Sequence, residues 1–194
     1  MSFLMDLFLE ASAVILNLIY LFLLIKERIS CWVFGIAASL LSIVLFYKIG
    51  LYSEAILYVY YVIIGFYGYW LWSQNQDPES KLKVSTLSLN YHLRIISIGI
   101  LISLAVGYGF SNYTDAVNPY LDATTTTFSF IASILEAKKI LSSWLFWIVI
   151  NAATIVLYIQ QDLVLYLMLT IVYFGFSITG FLQWRKSYQS ALLQ

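Results

Sequence analysis

The sequence predicts an all-α membrane protein with seven transmembrane helices, built as two like-oriented three-helix units joined by a connector helix. Three observations predict it. The composition is 62% hydrophobic and 10% charged with mean hydropathy +0.87, outside the range of soluble globular domains. The apolar residues form long runs without the alternation a β-barrel needs, and backbone amides in lipid must be satisfied within each run, which makes the runs helices. Residues 30–72 recur without a gap at 142–184, with 12 identities in 43 positions, among them Trp32/Trp144, Gly68/Gly180 and Trp72/Trp184. Roughly four would arise by chance in so apolar a composition.

The elements follow in order. Span one, about 4–25, carries Glu10 and Asn17 two turns apart. Span two, 30–47, opens the first copy of the repeat at Ser30. Span three, 52–72, shows a helical stripe of Glu54, Tyr58, Tyr61, Gly65, Gly68 and Trp72. A polar, turn-rich linker, 73–90, precedes span four, 93–111, which has no counterpart in the repeat. Span five, 122–137, presents Asp122, Thr125, Ser129, Ser133 and Glu136 along one side. Span six, 142–159, steps through Trp144, Trp147, Asn151, Thr154 and Tyr158 on one face. Span seven, 162–184, repeats the stripe of span three as Tyr166, Thr170, Tyr173, Ser177, Gly180 and Trp184. Both prolines, Pro78 and Pro119, fall between spans. The lone Cys31 excludes an internal disulfide, and the absence of basic residues before span one argues against a cleaved signal peptide.

The repeat offset of 112 residues covers four crossings, so equivalent helices point the same way: a parallel three-one-three arrangement. Span five matches span one more weakly, with Asp122 on Glu10, Ser129 on Asn17 and Lys138 on Lys26. The expected organisation is a first repeat at 1–72, a linker and connector helix at 73–113, and a second repeat with a short tail at 114–194. Nine basic residues fall on the side of the C-terminus and only Lys48 on the other, which places the N-terminus outside and the C-terminus in the cytoplasm. Two like-oriented bundles of this kind are a common plan for carriers, with a central path opened to either side by rocking.

Polar groups within spans are costly in lipid and normally face an interior cavity. Here they are aromatic and hydrogen-bonding, with almost no positive charge. Such a lining suits a flat, cationic, aromatic ligand: indole and phenol faces attract cations, and Asn151 offers both donor and acceptor. The candidate site residues are Trp147, Asn151, Trp144, Tyr58, Glu54, Tyr61, Asn17, Ser129, Thr154, Thr170 and Tyr173. Glu10, Glu54 or Glu136 can balance the ligand charge. Trp144, Trp70, Trp72 and Trp184 lie near span ends, where an interfacial belt places tryptophan in any case. The stripe Trp144/Trp147/Asn151/Thr154 corresponds to Trp32/Gly35/Ser39/Ser42, so the first copy is expected to leave room for a ligand against the bulkier second copy.

The run Trp144-Leu-Phe-Trp147-Ile-Val-Ile-Asn151, with Tyr67-Gly68-Tyr69-x-x-Trp72, Pro119-Tyr-x-Asp122-Ala and Lys138-Lys139, resembles the PnuC family of bacterial vitamin transporters, over essentially the whole chain. The resemblance implies a full-length SWEET-like fold in the bacterial inner membrane. It also implies facilitated diffusion of a B-vitamin or precursor, trapped inside by a cytoplasmic kinase that need not touch the carrier. Nicotinamide riboside is the family default. The resemblance also implies, for that branch, a glutamine on span three where this chain has Tyr58, one turn after Glu54, which brings thiamine close behind. No cofactor, metal or nucleic acid is expected; the partners are the substrate and the lipid bilayer, and a homo-oligomer is compatible with them.

Other functions fit less well. A retinal Schiff base needs a lysine in the last span, and 162–184 has none. His92 and Cys31 lack catalytic partners in sequence, and no phosphate-binding Gly-x-x-x-x-Gly-Lys loop couples ATP hydrolysis. SWEET-like sugar carriers place a proline in the first helix of each repeat, which spans one and five lack. An ion-coupled carrier using Glu10, Glu54 or Glu136, a SWEET-like sugar carrier and a non-transporting scaffold are the alternatives.

Overall fold

The structure is a computed structural model that describes residues 2–48, 52–74, 82–114, 118–160 and 164–193, of which 2–6, 52–54, 160 and 165 are described by backbone alone. The described residues form seven helices and no strand: α1 Ser2–Ile25, α2 Ser30–Lys48, α3 Tyr52–Ser73, α4 Leu89–Tyr113, α5 Pro119–Ala137, α6 Ser143–Gln160 and α7 Val164–Leu192. Five are long and apolar enough to cross a bilayer: Leu7–Ile25, Ser30–Lys48, Ala55–Ser73, Leu89–Tyr113 and Tyr166–Leu192. α6 is apolar but shorter, with Ser143–Ile159 meeting the composition. α5 is the polar one, and three of its hydroxyls return to its own backbone. Thr124 donates to the Tyr120 carbonyl at 2.7 Å, Thr125 to Leu121 at 3.0 Å and Ser133 to Ser129 at 2.6 Å. Large apolar side chains such as Phe8, Ile63, Leu101, Val149 and Met168 stand exposed along the helices, the surface a bilayer covers. The chain is a multi-pass helical membrane protein.

The chain divides into two compact units, Met1–Leu82 and Lys83–Gln194. In the first, α1 packs on α2 and α2 on α3; in the second, α4 packs on α5, α5 on α6 and α6 on α7. α4 approaches α5 through the buried Gly99, Ser103 and Gly107, small residues one turn apart that let backbones close up. A Cβ on Gly99 would lie 2.8 Å from Phe128, and one on Gly107 2.6 Å from Tyr120.

The repeat is reproduced in side-chain detail. Trp32 and Trp72 meet edge to face at 5.5 Å and 89°, Trp144 and Trp184 at 5.4 Å and 90°. Gly68 provides the notch for the Trp32 ring and Gly180 the notch for Trp144, a Cβ there lying 2.4 Å and 2.5 Å from ring atoms. Trp32, Trp72, Trp144 and Trp184 are all buried, so their place near span ends reflects this lock and not an interfacial belt; Trp70, 53% exposed, suits the belt. The indole N–H groups of Trp32 and Trp144 have no hydrogen-bond partner among the described residues. Orphaning a buried donor costs about 1–3 kcal/mol, less than the burial of so large a ring contributes.

The turns match as well. Glu27 and Lys139, 112 residues apart, both take the left-handed conformation, φ 53° and 51°. Glu27 N–H bonds the Leu24 carbonyl and Arg28 N–H that of Leu23; Lys139 N–H bonds Glu136 and Ile140 N–H bonds Leu135, all at 2.9 Å. These left-handed caps end α1 and α5 alike and aim the next helix back along the first.

Part of the linker is docked. Ser85 N–H donates to the Lys139 carbonyl at 3.0 Å and the Ser85 carbonyl accepts from Leu141 at 2.8 Å, an isolated parallel bridge to the α5–α6 turn. The His92 ring links the Ser88 carbonyl, at 3.0 Å, to the Ser142 hydroxyl, at 2.8 Å. His92→Ala is expected to lower stability by about 1 kcal/mol and to speed proteolytic cleavage within 83–88, read by timed limited digestion.

Candidate functional site

In the second unit, two side-chain hydrogen bonds tie α6 to its neighbours α5 and α7. Trp147 donates its indole N–H to Glu136 Oε2 at 2.7 Å, across the α5–α6 turn. Glu136 is 3% exposed. One turn along α6, Asn151 Nδ2 donates to Ser177 Oγ on α7 at 3.0 Å, and Ser177 in turn donates to the Tyr173 carbonyl at 2.9 Å. That leaves the Asn151 carbonyl oxygen and one amide hydrogen without a hydrogen bond among the described residues. Thr154 and Thr170 return their hydroxyls to the carbonyls of Ile150 and Tyr166, at 2.9 and 2.8 Å. Ser129 is buried on α5, one turn before Ser133. Trp144, on the same stripe as Trp147, is fully buried in the lock with Trp184 and Gly180.

In the first unit, Tyr58 stacks on Phe46 at 5.3 Å and 25° and meets Tyr61 edge to face at 5.7 Å; Tyr61 also meets Tyr60 at 5.6 Å. Asn17 is half-buried on α1. The Glu54 side chain lies outside the described residues.

One expectation is corrected. Gly35, opposite Trp147 in the repeat, does not leave room: a Cβ there would lie 2.9 Å from the Tyr20 ring, which fills the space. Tyr20 corresponds to Ala132, fully buried on α5. In the repeat, the large Tyr20 and small Gly35 of the first copy correspond to the small Ala132 and large Trp147 of the second. Two bonding partners lie outside the candidate set: Glu136, a member of the span-five stripe and one of three acids able to balance charge, and Ser177, a member of the span-seven stripe; their bonds depend on how adjacent helices cross, which spacing along one helix does not reveal.

Seven helices, most of them apolar, with polar side chains bonded between α5 and α6 and between α6 and α7, define a polytopic helical membrane protein. The profile of the nicotinamide mononucleotide transporter family matches residues 7–186. The chain belongs to that family, the PnuC transporters. It shares its fold with a protein described as the vitamin B3 transporter PnuC, solved by crystallography, at 22% identity over 94% of this chain and 83% of that one, with TM-score 0.76. No curated protein sequence matches the chain.

Proposed function

We propose that this chain carries a flat, cationic B-vitamin or precursor across the bacterial inner membrane by facilitated diffusion, with Trp147 and Asn151 gripping the ligand. The observation that carries this reading is Asn151: its amide is anchored by Ser177 while its carbonyl and one N–H stay available, one turn from the Trp147 ring. A prepositioned amide beside an aromatic face satisfies a heterocycle's polar edge and its charge together. Nicotinamide riboside is the first candidate, in line with the family's name and with the vitamin B3 transporter that shares the fold. Thiamine is the second, because Tyr58 with Phe46 and Tyr61 offers an aromatic surface for a thiazolium.

In this reading all seven helices cross the membrane in a SWEET-like three-one-three order, N-terminus outside, and the basic residues lie in the cytoplasm. The repeats at 1–72 and 114–194 rock about the path, the segment 73–113 connects them, and a cytoplasmic kinase traps the substrate by adding phosphate. The chain itself has no catalytic role. Calorimetric titration of the purified protein with nicotinamide riboside and with thiamine tests the assignment: binding of one names the substrate, and binding of neither refutes the vitamin reading. In proteoliposomes, uptake is expected to persist after all ion gradients are collapsed; uptake that stops would make the protein an ion-coupled carrier.

A further inference from the structure

We infer that Glu136 is a positioning residue that fixes the indole of Trp147 for its ligand, a role that rests on the transport reading. A carboxylate 3% exposed is costly to bury, and the packing of this helix end does not require one. The repeat shows why. Glu136 corresponds to Leu24, which is fully buried at the same place before the same left-handed turn. An aliphatic side chain therefore satisfies the scaffold. Trp147 corresponds to Gly35, so the acid and the indole occur together in the second copy and neither occurs in the first. The 2.7 Å bond joins these two differences directly.

The bond has a consequence for a ligand. A hydrogen bond from the indole N–H to this buried carboxyl group fixes the ring's orientation before the ligand arrives, so that ordering cost is not drawn from binding. Glu136 thus acts through Trp147 on the affinity for the ligand.

The test is a double-mutant cycle by calorimetric titration of full-length protein with nicotinamide riboside and with thiamine. The proteins are the parent, Glu136→Gln, Glu136→Leu, Trp147→Phe and the double variant Glu136→Leu/Trp147→Phe. Glu136→Leu is expected to weaken binding of whichever ligand the parent takes by about tenfold or more. Glu136→Gln keeps an acceptor for the indole and is expected to retain most of the affinity. Trp147→Phe has no N–H to hold, so adding Glu136→Leu to it is expected to cost less than about twofold further. Equal losses in both backgrounds, or an unaffected Glu136→Leu variant, overturn the assignment while leaving the transport reading in place. A parent protein that binds neither ligand overturns the transport reading and the ligand role with it. Leucine already occupies the equivalent position at Leu24; should Glu136→Leu nonetheless fail to purify folded, Glu136→Ala supplies the same comparison.

Discussion

Gly180→Val and Gly68→Val are each expected to destabilise the protein by about 3 kcal/mol or more, seen as a large fall in the apparent Tm and loss of monodisperse material in detergent. The first side-chain atom at Gly180 would sit 2.5 Å from the Trp144 ring, and at Gly68 2.4 Å from the Trp32 ring. Neither ring can yield cheaply, because each is rigid, fully or almost fully buried, and held edge-on by Trp184 or Trp72. Glycine helps here through its lack of a side chain, not through backbone freedom. Shrinking the ring supplies a check: Trp144→Leu should recover part of the stability lost in Gly180→Val, a coupling only residues in contact can show. Gly109 and Gly175 have nothing within 4 Å of a built Cβ, so alanine there is expected to be neutral or to stabilise by up to about 1 kcal/mol through helix propensity. A uniform loss at all four glycines would refute the lock.

Asn151→Ala is expected to weaken ligand binding by about 1–3 kcal/mol, roughly fivefold to 150-fold, while leaving thermal stability nearly unchanged. The separation follows from where the hydrogen bonds go. Removing the Asn151 amide does not orphan Ser177, whose hydroxyl still reaches the Tyr173 carbonyl at 2.9 Å. The amide atoms that the variant removes include the two groups without partners among the described residues, which only a ligand or solvent would use. Ser177→Ala should produce a smaller loss, because it frees the amide to turn without deleting it. Unchanged affinity in Asn151→Ala would remove this residue from the site.

The helices were legible because lipid leaves a backbone few options. Apolar length located α1, α2 and α3 to within one or two residues at every end. Apolar length alone misplaced other boundaries. α7 continues to Leu192, well past the apolar stretch ending near 184, since helical hydrogen bonding does not stop where lipid does. α4 starts at Leu89, ahead of the apolar run, because Ser88 and His92 build its first turn with polar groups. α5 begins at Pro119, three residues ahead of the apolar run at 122–137, because the proline sits in its first turn, where no helical N–H is needed. The Trp32 and Trp144 pairs were visible as repeated tryptophans, yet their burial was not, because a tryptophan near a span end reads as an interfacial anchor until the facing glycine is known. Within the candidate site, the stripe on α6 followed from helical spacing. The hold of Glu136 on Trp147 and of Ser177 on Asn151 joins separate helices, and a one-dimensional pattern carries no such information.

The tryptophan lock also has an optical consequence. Of the six tryptophans, Trp32, Trp72, Trp144 and Trp184 are sequestered inside the two units, out of reach of aqueous quenchers. Their emission forms a steady, blue-weighted background that reports on scaffold integrity. The changeable part of the signal then belongs to Trp147 and Trp70, and replacing the exposed Trp70 by phenylalanine leaves Trp147 as the one indole of the six outside the lock. The protein's own light therefore separates damage to its frame from events at Trp147, without any added label.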